Sequence, residues 1–249
     1  MLSSNSHAVS RILHFGVISE FLNFFFPSRC PVCNERSDDH SHNPLCFRCW
    51  SAITKYEGPA CAICGLPTVS PYTKICGECL DNKPPFDKIR YFGIYEGPLK
   101  ESIHLLKFQG VKRLSIPLAG LIYSLLTDKY DAIIPVPLHT SKLREREFNQ
   151  TALLGHHLSK ALSSPLLMNA LCKNHETKLQ TDVSGKERRD NLSGAFSASK
   201  EISGASILLV DDVITTGATV TECSHVLKKA GALKIDVIAL ARSMPRLNT

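Results

Sequence analysis

Ile207-Leu-Leu-Val-Asp-Asp-Val-Ile-Thr-Thr-Gly-Ala-Thr219 is the stretch on which the reading of this 249-residue chain turns. Its apolar start, Ile207–Val210, has the length and β-branched content of a buried strand, and the strand is expected to end in two carboxylates, Asp211 and Asp212. The hydroxyl-rich turn Thr215-Thr216-Gly217 then leads into a helical pattern over Ala218–Ala230. A turn of this kind aims successive backbone N–H groups, Ala218 included, at one point with a helix N-terminus behind it. That is an anion site suited to a phosphate monoester. Thr215, Thr216 and Thr219 add hydroxyl donors, and Gly217 permits close approach. Like charges repel, so Asp211 and Asp212 cannot serve the phosphate. They suit the far end of a sugar phosphate, where ribose hydroxyls donate. A Gly-x-x-x-x-Gly-Lys-Ser/Thr phosphate loop occurs nowhere in the chain.

Outward from this segment, apolar strand and helix patterns alternate. Ile89–Tyr95 reads as a strand, Leu99–Phe108 and Leu114–Leu126 as helices, and Ala132–Val136 as a buried strand. Gln150–Leu162 follows as a helix, Pro165–Cys172 holds a short apolar strand, and Ile235–Ala241 closes the series. The alternation predicts an α/β domain, a mostly parallel sheet with helices on both faces and its ligand at the carboxyl ends of the strands. The polar stretch Lys173–Asn191 is too long for an ordinary connector and reads as a functional loop.

Eight of the ten cysteines form four pairs of one spacing: Cys30 and Cys33, Cys46 and Cys49, Cys61 and Cys64, Cys76 and Cys79. Two thiolates on a tight knuckle reach one ion, and four close a tetrahedral Zn²⁺ with no open position, so the sites are structural. The simplest arrangement is two successive ribbons with one zinc each; an interleaved arrangement of the pairs is the alternative. A disulfide scaffold would need an oxidising compartment. His40 and His42 are surplus to two filled sites, and Cys172 and Cys223 read as small core residues. Phe47, Trp50 and Tyr56, beside the second pair, read as a ribbon's small core.

The pairs stop before Asp81-Asn82-Lys83-Pro84-Pro85, which divides the chain into an amino-terminal amphipathic helix (1–27), a zinc module (28–80), a linker (81–85) and an α/β domain (86–249). No apolar run of about 18 residues appears, and the start of the chain lacks the pattern of a secretory signal, so the expected location is cytoplasmic. The formal charge is +6, and residues 1–80 hold as many acidic as basic groups. The whole surplus therefore sits in the α/β domain, which suits an anionic ligand. Lys142, Arg144 and Arg146 follow Pro137, and Lys186, Arg188 and Arg189 lie in the long polar stretch. Cations on two loops beside the phosphate turn are where a departing diphosphate would need electrostatic support. Lys107, at the end of an early helix, is a further candidate phosphate contact.

Two acidic residues followed by Thr-Thr-Gly-x-Thr resemble the motif by which type I phosphoribosyltransferases bind 5-phosphoribosyl 1-diphosphate (PRPP). The segment Ile134-Pro-Val-Pro-Leu-His-Thr-Ser-Lys-Leu-Arg-Glu-Arg-Glu-Phe-Asn-Gln150 resembles the pyrophosphate-side loop of the ComF/GntX family of competence-associated proteins. The amino-terminal cysteine pairs and the pattern Thr177, Gln180, Arg188, Asn191, Ala195-Phe196 are similar to that family as well. One position departs from it, since the family's Arg-Gly-Phe-Asn-Gln is Arg146-Glu147-Phe148-Asn149-Gln150 here. The resemblance implies PRPP as ligand with Mg²⁺ on its diphosphate, and a role in DNA uptake at or behind the inner membrane. Single-stranded DNA and uptake proteins are then the expected partners. Two functions stay open: a PRPP-binding factor in competence, or an active phosphoribosyltransferase in nucleotide metabolism that releases pyrophosphate.

Overall fold

The computed structural model describes residues 29–37, 42–175 and 194–244. The amphipathic helix expected over 1–27, His40, and Lys186, Arg188 and Arg189 of the long polar stretch lie outside them. Two compact units divide between Ala52 and Ile53. The smaller contains the first cysteine quartet and a short helix, α1 (Phe47–Ser51).

The larger unit is built on four parallel strands: β1 (Lys88–Ile94), β2 (Ala132–Pro135), β5 (Ser206–Ile214) and β6 (Lys234–Arg242), in the order β1-β6-β5-β2. Strands covered on both faces need apolar residues at every position. Ile207 through Val210 and Val237 through Ala241 accordingly lie out of contact with water. The register sets Ser206 of β5 beside Lys234 of β6 and Ile214 beside Arg242. Leu166 adds a one-residue parallel bridge to Ile133, outside β2.

Alternate residues of β5 meet different layers. Ile207 and Leu209 pack with Val220, Cys223 and Leu227 of α7 (Ala218–Lys229). The opposite face carries α3 (Gly97–Phe108), α4 (Ser115–Tyr123) and α6 (Gln150–Leu162). The apolar strand expected within Pro165–Cys172 forms later, as β3 (Leu171–Lys173), and pairs antiparallel with β4 (Phe196–Ala198). In that ribbon Cys172 turns outward and is exposed, contrary to its reading as a core residue, whereas Cys223 is fully buried. The segment after Pro137 is a short helix, α5 (Thr140–Arg146), capped by the His139 ring. A further short helix, α2 (Gly77–Asp81), belongs to the second cysteine quartet.

Candidate functional site

The expected strand–turn–helix is present, but β5 runs four residues further than the apolar pattern indicated. Asp211 and Asp212 therefore lie inside the strand and are buried, at 9% and 4% exposure, and do not form the strand end expected of them. Pairing with β6 continues through Asp211 and Val213 to Ile214, so hydrogen bonds to a long neighbour override the polarity of the two acids.

Consecutive strand residues face opposite sides, and the two acids have different surroundings. Asp212 Oδ2 lies 2.9 Å from Lys107 Nζ of α3 and accepts from Gln150 Nε2 of α6 at 2.7 Å. The other amide atom, Gln150 Oε1, is buried with no hydrogen-bond partner. Among the described residues Asp211 Oδ1 accepts only the Asp212 N–H, at 2.8 Å, on the side of α7. Burial first, and the neighbouring Asp212 charge second, push the Asp211 carboxyl up from the ordinary carboxylate range to about 7.

Beyond β5, Gly217 takes φ 81° and starts α7. That left-handed conformation suits glycine, and it lets the chain turn from strand to helix in three residues. Thr216 Oγ1 accepts from Ala218 N at 3.3 Å, and Thr221 Oγ1 donates back to Gly217 O at 2.9 Å. Thr215 and Thr216 are exposed, and the first turn of α7 contains no acidic residue. The N–H groups of that turn point outward without helical partners, as at any helix start.

The basic residues after Pro137 separate once α5 forms. Lys142 pairs with Glu145 at 2.7 Å, Arg144 is exposed, and Arg146 lies over the Phe108 ring at 4.8 Å with Nε and Nη1 buried and unbonded. Lys107 and Phe108 are adjacent on α3, so this helix end touches both Asp212 and Arg146. The helix α5 ends at Glu147, whose φ is 63°. Asn149 then caps α6 by accepting from Thr151 N at 3.0 Å while its amide donates to Val136 O at 3.1 Å. Thr151 Oγ1 donates to the same carbonyl at 2.7 Å, which fixes Gln150 beside Asp212.

The cysteines gather as Cys30, Cys33, Cys46 and Cys49 in one group, and Cys61, Cys64, Cys76 and Cys79 in another. The pairs are successive, and the interleaved alternative is excluded. In each group the four sulfurs lie within 4.8 Å of one another, with Cys33 and Cys46 sulfurs 3.6 Å apart and those of Cys64 and Cys76 3.7 Å apart. A tetrahedron with zinc–sulfur bonds of about 2.3 Å has an edge of about 3.8 Å, so both groups fit structural zinc. The knuckles repeat in detail: Asn34 N and Gly65 N donate to Cys30 O and Cys61 O, both at 2.8 Å, and Asn34 and Gly65 both take positive φ. Phe47 is exposed and Trp50 stacks on His42 at 4.3 Å, so this pair does not form the small apolar core expected of it.

The second quartet is docked on the sheet. Ile63 O accepts from Ile89 N of the edge strand β1 at 2.7 Å, and a Cβ at Gly65 would stand 3.1 Å from Ile89 O and from the Tyr91 ring. Tyr56 packs against Tyr91 in the same region.

Comparison with known proteins agrees with both halves of the chain. Residues 21–80 match a double zinc ribbon domain and residues 100–247 a phosphoribosyl transferase domain. Competence protein F of Haemophilus influenzae is 38% identical over 231 residues, 88% of this chain and 99% of that protein. DNA utilization protein YhgH of Escherichia coli (strain K12) is 31% identical, covering 82% of this chain and 92% of its own. Competence protein ComFC of Bacillus subtilis is 26% identical, covering 80% and 84%.

Proposed function

Since this chain belongs to the family of competence protein F and contains its double zinc ribbon and phosphoribosyl transferase domains, we propose that it binds PRPP with Mg²⁺ and acts in natural competence, in the handling of incoming single-stranded DNA. The observation that carries the reading is the turn from β5 to α7, where Gly217 at φ 81° presents an acid-free helix start a few residues from buried Asp212. The backbone N–H groups of Ala218 and Thr219, with the hydroxyls of Thr215, Thr216 and Thr219, hold the 5-phosphate in this reading. Asp212 and Asp211 are the candidates for the ribose hydroxyls, with Gln150 setting the position of Asp212 and Lys107, which rests on Asp212 in the free protein, a further candidate for the diphosphate. Lys142, Arg144 and Arg146, with Arg188 from outside the described residues, are assigned to the diphosphate. Mg²⁺ would neutralise diphosphate charge when bound.

No helix among the described residues is long and apolar enough to cross a membrane. Work at the cytoplasmic face of the inner membrane, on strands delivered by uptake proteins, belongs to the same proposal. Calorimetry with PRPP and Mg²⁺, followed by assay for released pyrophosphate with nucleobases or single-stranded DNA present, tests it. PRPP binding without pyrophosphate release identifies a binding factor, and release identifies a working phosphoribosyltransferase. No heat with PRPP would sink the site assignment. Single-strand affinity measured against salt addresses the second half of the proposal: removing Lys142 and Arg144 should flatten the slope of log K by about 0.7 for each lost phosphate contact.

A further inference from the structure

Arg242 closes β6 with 4% exposure, and no carboxylate ion pair forms with it among the described residues. Its Nη1 donates to Cys64 O, in the second cysteine knuckle, at 2.7 Å, and its Nε is buried with no partner. The ionisable groups it faces are the thiols of Cys64, Cys61 and Cys76 and the Tyr91 hydroxyl, which is itself buried and unbonded. A buried guanidinium left without a counter-charge is costly. One divalent ion held by four thiolates leaves two negative charges in excess, and such a site beside Arg242 supplies the missing counter-charge.

The same residue reaches the phosphate turn through the sheet. Arg242 stands in register with Ile214, and Ser243 N donates to Ile214 O at 2.9 Å. Ile214 immediately precedes Thr215-Thr216-Gly217. Tyr95 N donates to Arg242 O at 2.9 Å, so neighbours on both sides hold this strand end. At the first quartet the arginine contact falls one residue later in the knuckle, where Asn34 O, the counterpart of Gly65 O, accepts from Arg29 Nη1 at 3.0 Å, and that contact is exposed and belongs to the smaller unit.

We infer that Arg242 is the counter-cation of the second zinc site and ties metal occupancy there, and not at the first site, to the order of the turn after β5. Outer-shell partners of metal ligands typically contribute about 10- to 100-fold in metal affinity. Full-length protein loaded with zinc at both quartets is therefore titrated with a chromogenic chelator, as wild type, Arg242→Met and Arg242→Lys. Cys33→Ser and Cys64→Ser assign each equivalent to its site. One equivalent, that of the second site, should leave Arg242→Met at about 10- to 100-fold lower chelator, the other should be unmoved, and the lysine variant should recover most of the loss. Release of both equivalents from Arg242→Met at wild-type chelator concentrations would overturn the inference.

Hydrogen exchange provides a reading that does not need Arg242→Met to fold. Amides of Ile214–Thr219 should exchange about ten times faster in Cys64→Ser than in Cys33→Ser, reflecting local opening of the turn. Equal rates in the two variants would separate zinc from the turn and refute the coupling. The effect on ligand rests on the PRPP reading: affinity should fall in Cys64→Ser and hold in Cys33→Ser. Wild-type protein that fails to bind PRPP would overturn that reading while leaving the zinc result standing.

Discussion

Lys107 Nζ lies 2.9 Å from Asp212 Oδ2, so the carboxylate assigned to the ribose already has a cation on it in the free protein. A sugar hydroxyl must share or displace that contact. PRPP has a diphosphate that can draw Lys107 away, and ribose 5-phosphate does not. Lys107→Met should therefore weaken PRPP about tenfold, the value of one charged hydrogen bond, while leaving ribose 5-phosphate affinity unchanged or raised. Calorimetry with both ligands decides this. Equal weakening of the two would mean that Lys107 only positions Asp212.

Asp211 predicts a pH dependence of stability. Its folded-state pKa is raised to about 7, so between the ordinary carboxylate range and that value the folded chain keeps a proton which the unfolded chain has lost. Stability from this group is present at low pH and is lost as pH rises toward the raised value. The unfolding free energy from urea titrations should fall between about pH 5 and pH 8, by a total on the order of 2–4 kcal/mol, and Asp211→Asn should flatten the curve. Asp212→Asn should instead weaken PRPP roughly 10- to 100-fold. A pH profile identical in wild type and Asp211→Asn would remove Asp211 as its source.

Much of this was legible from residue order. Helix α6 covers Gln150–Leu162 as the apolar spacing indicated, because Asn149 caps it and its buried face repeats every three to four residues. The cysteine spacing implied two quartets, and the three-dimensional grouping chose the successive pairing. What could not be read were consequences of long-range contact. Asp211 and Asp212 look like a polar strand end until β6 is seen to pair alongside them. Gln150 looked like the first residue of an ordinary helix, and Arg242 fell just past the expected strand Ile235–Ala241. Their importance comes from partners 62 and 178 residues away in sequence, Asp212 and Cys64. For Gln150 the local signals were its place at the end of the family-like segment Arg146-Glu147-Phe148-Asn149-Gln150 and directly after the Asn149 cap.

Purified protein should contain two equivalents of zinc, one for each quartet. Elemental analysis giving one or none would refute the paired sites. Chelation should have two distinct consequences, because the first quartet belongs to the smaller compact unit and the second is docked on β1 of the larger. Loss of the first ion should unfold only residues around 29–52, since so short a segment has little core without metal. Removing the second should lower the melting temperature of the α/β domain as well. A domain melt unchanged by full chelation would show that the second ribbon contributes nothing to the sheet's stability.

Glu147 ends α5 with φ 63° and ψ −9°, a backbone conformation that suits glycine, and it is exposed. A residue with a Cβ in this region carries strain of about 1 kcal/mol. The carboxylate also stands at a helix C-terminus, where the backbone carbonyls already concentrate negative charge, and this adds about 0.3–1 kcal/mol. Glu147→Gly removes both effects but frees the unfolded chain, which returns up to about 1 kcal/mol. The net change in stability should be a gain below about 1 kcal/mol. The larger consequence concerns ligand: Lys142, Arg144 and Arg146 share α5 with this acid, so its removal makes the helix more positive where the diphosphate is assigned. PRPP should bind more tightly to Glu147→Gly, and the gain should be largest at low Mg²⁺, when the diphosphate carries its full charge. Titration of both proteins across Mg²⁺ concentration checks this. Equal affinities throughout would place Glu147 away from the ligand, and weaker binding by the glycine variant at high Mg²⁺ would mean that its carboxylate helps to hold the metal.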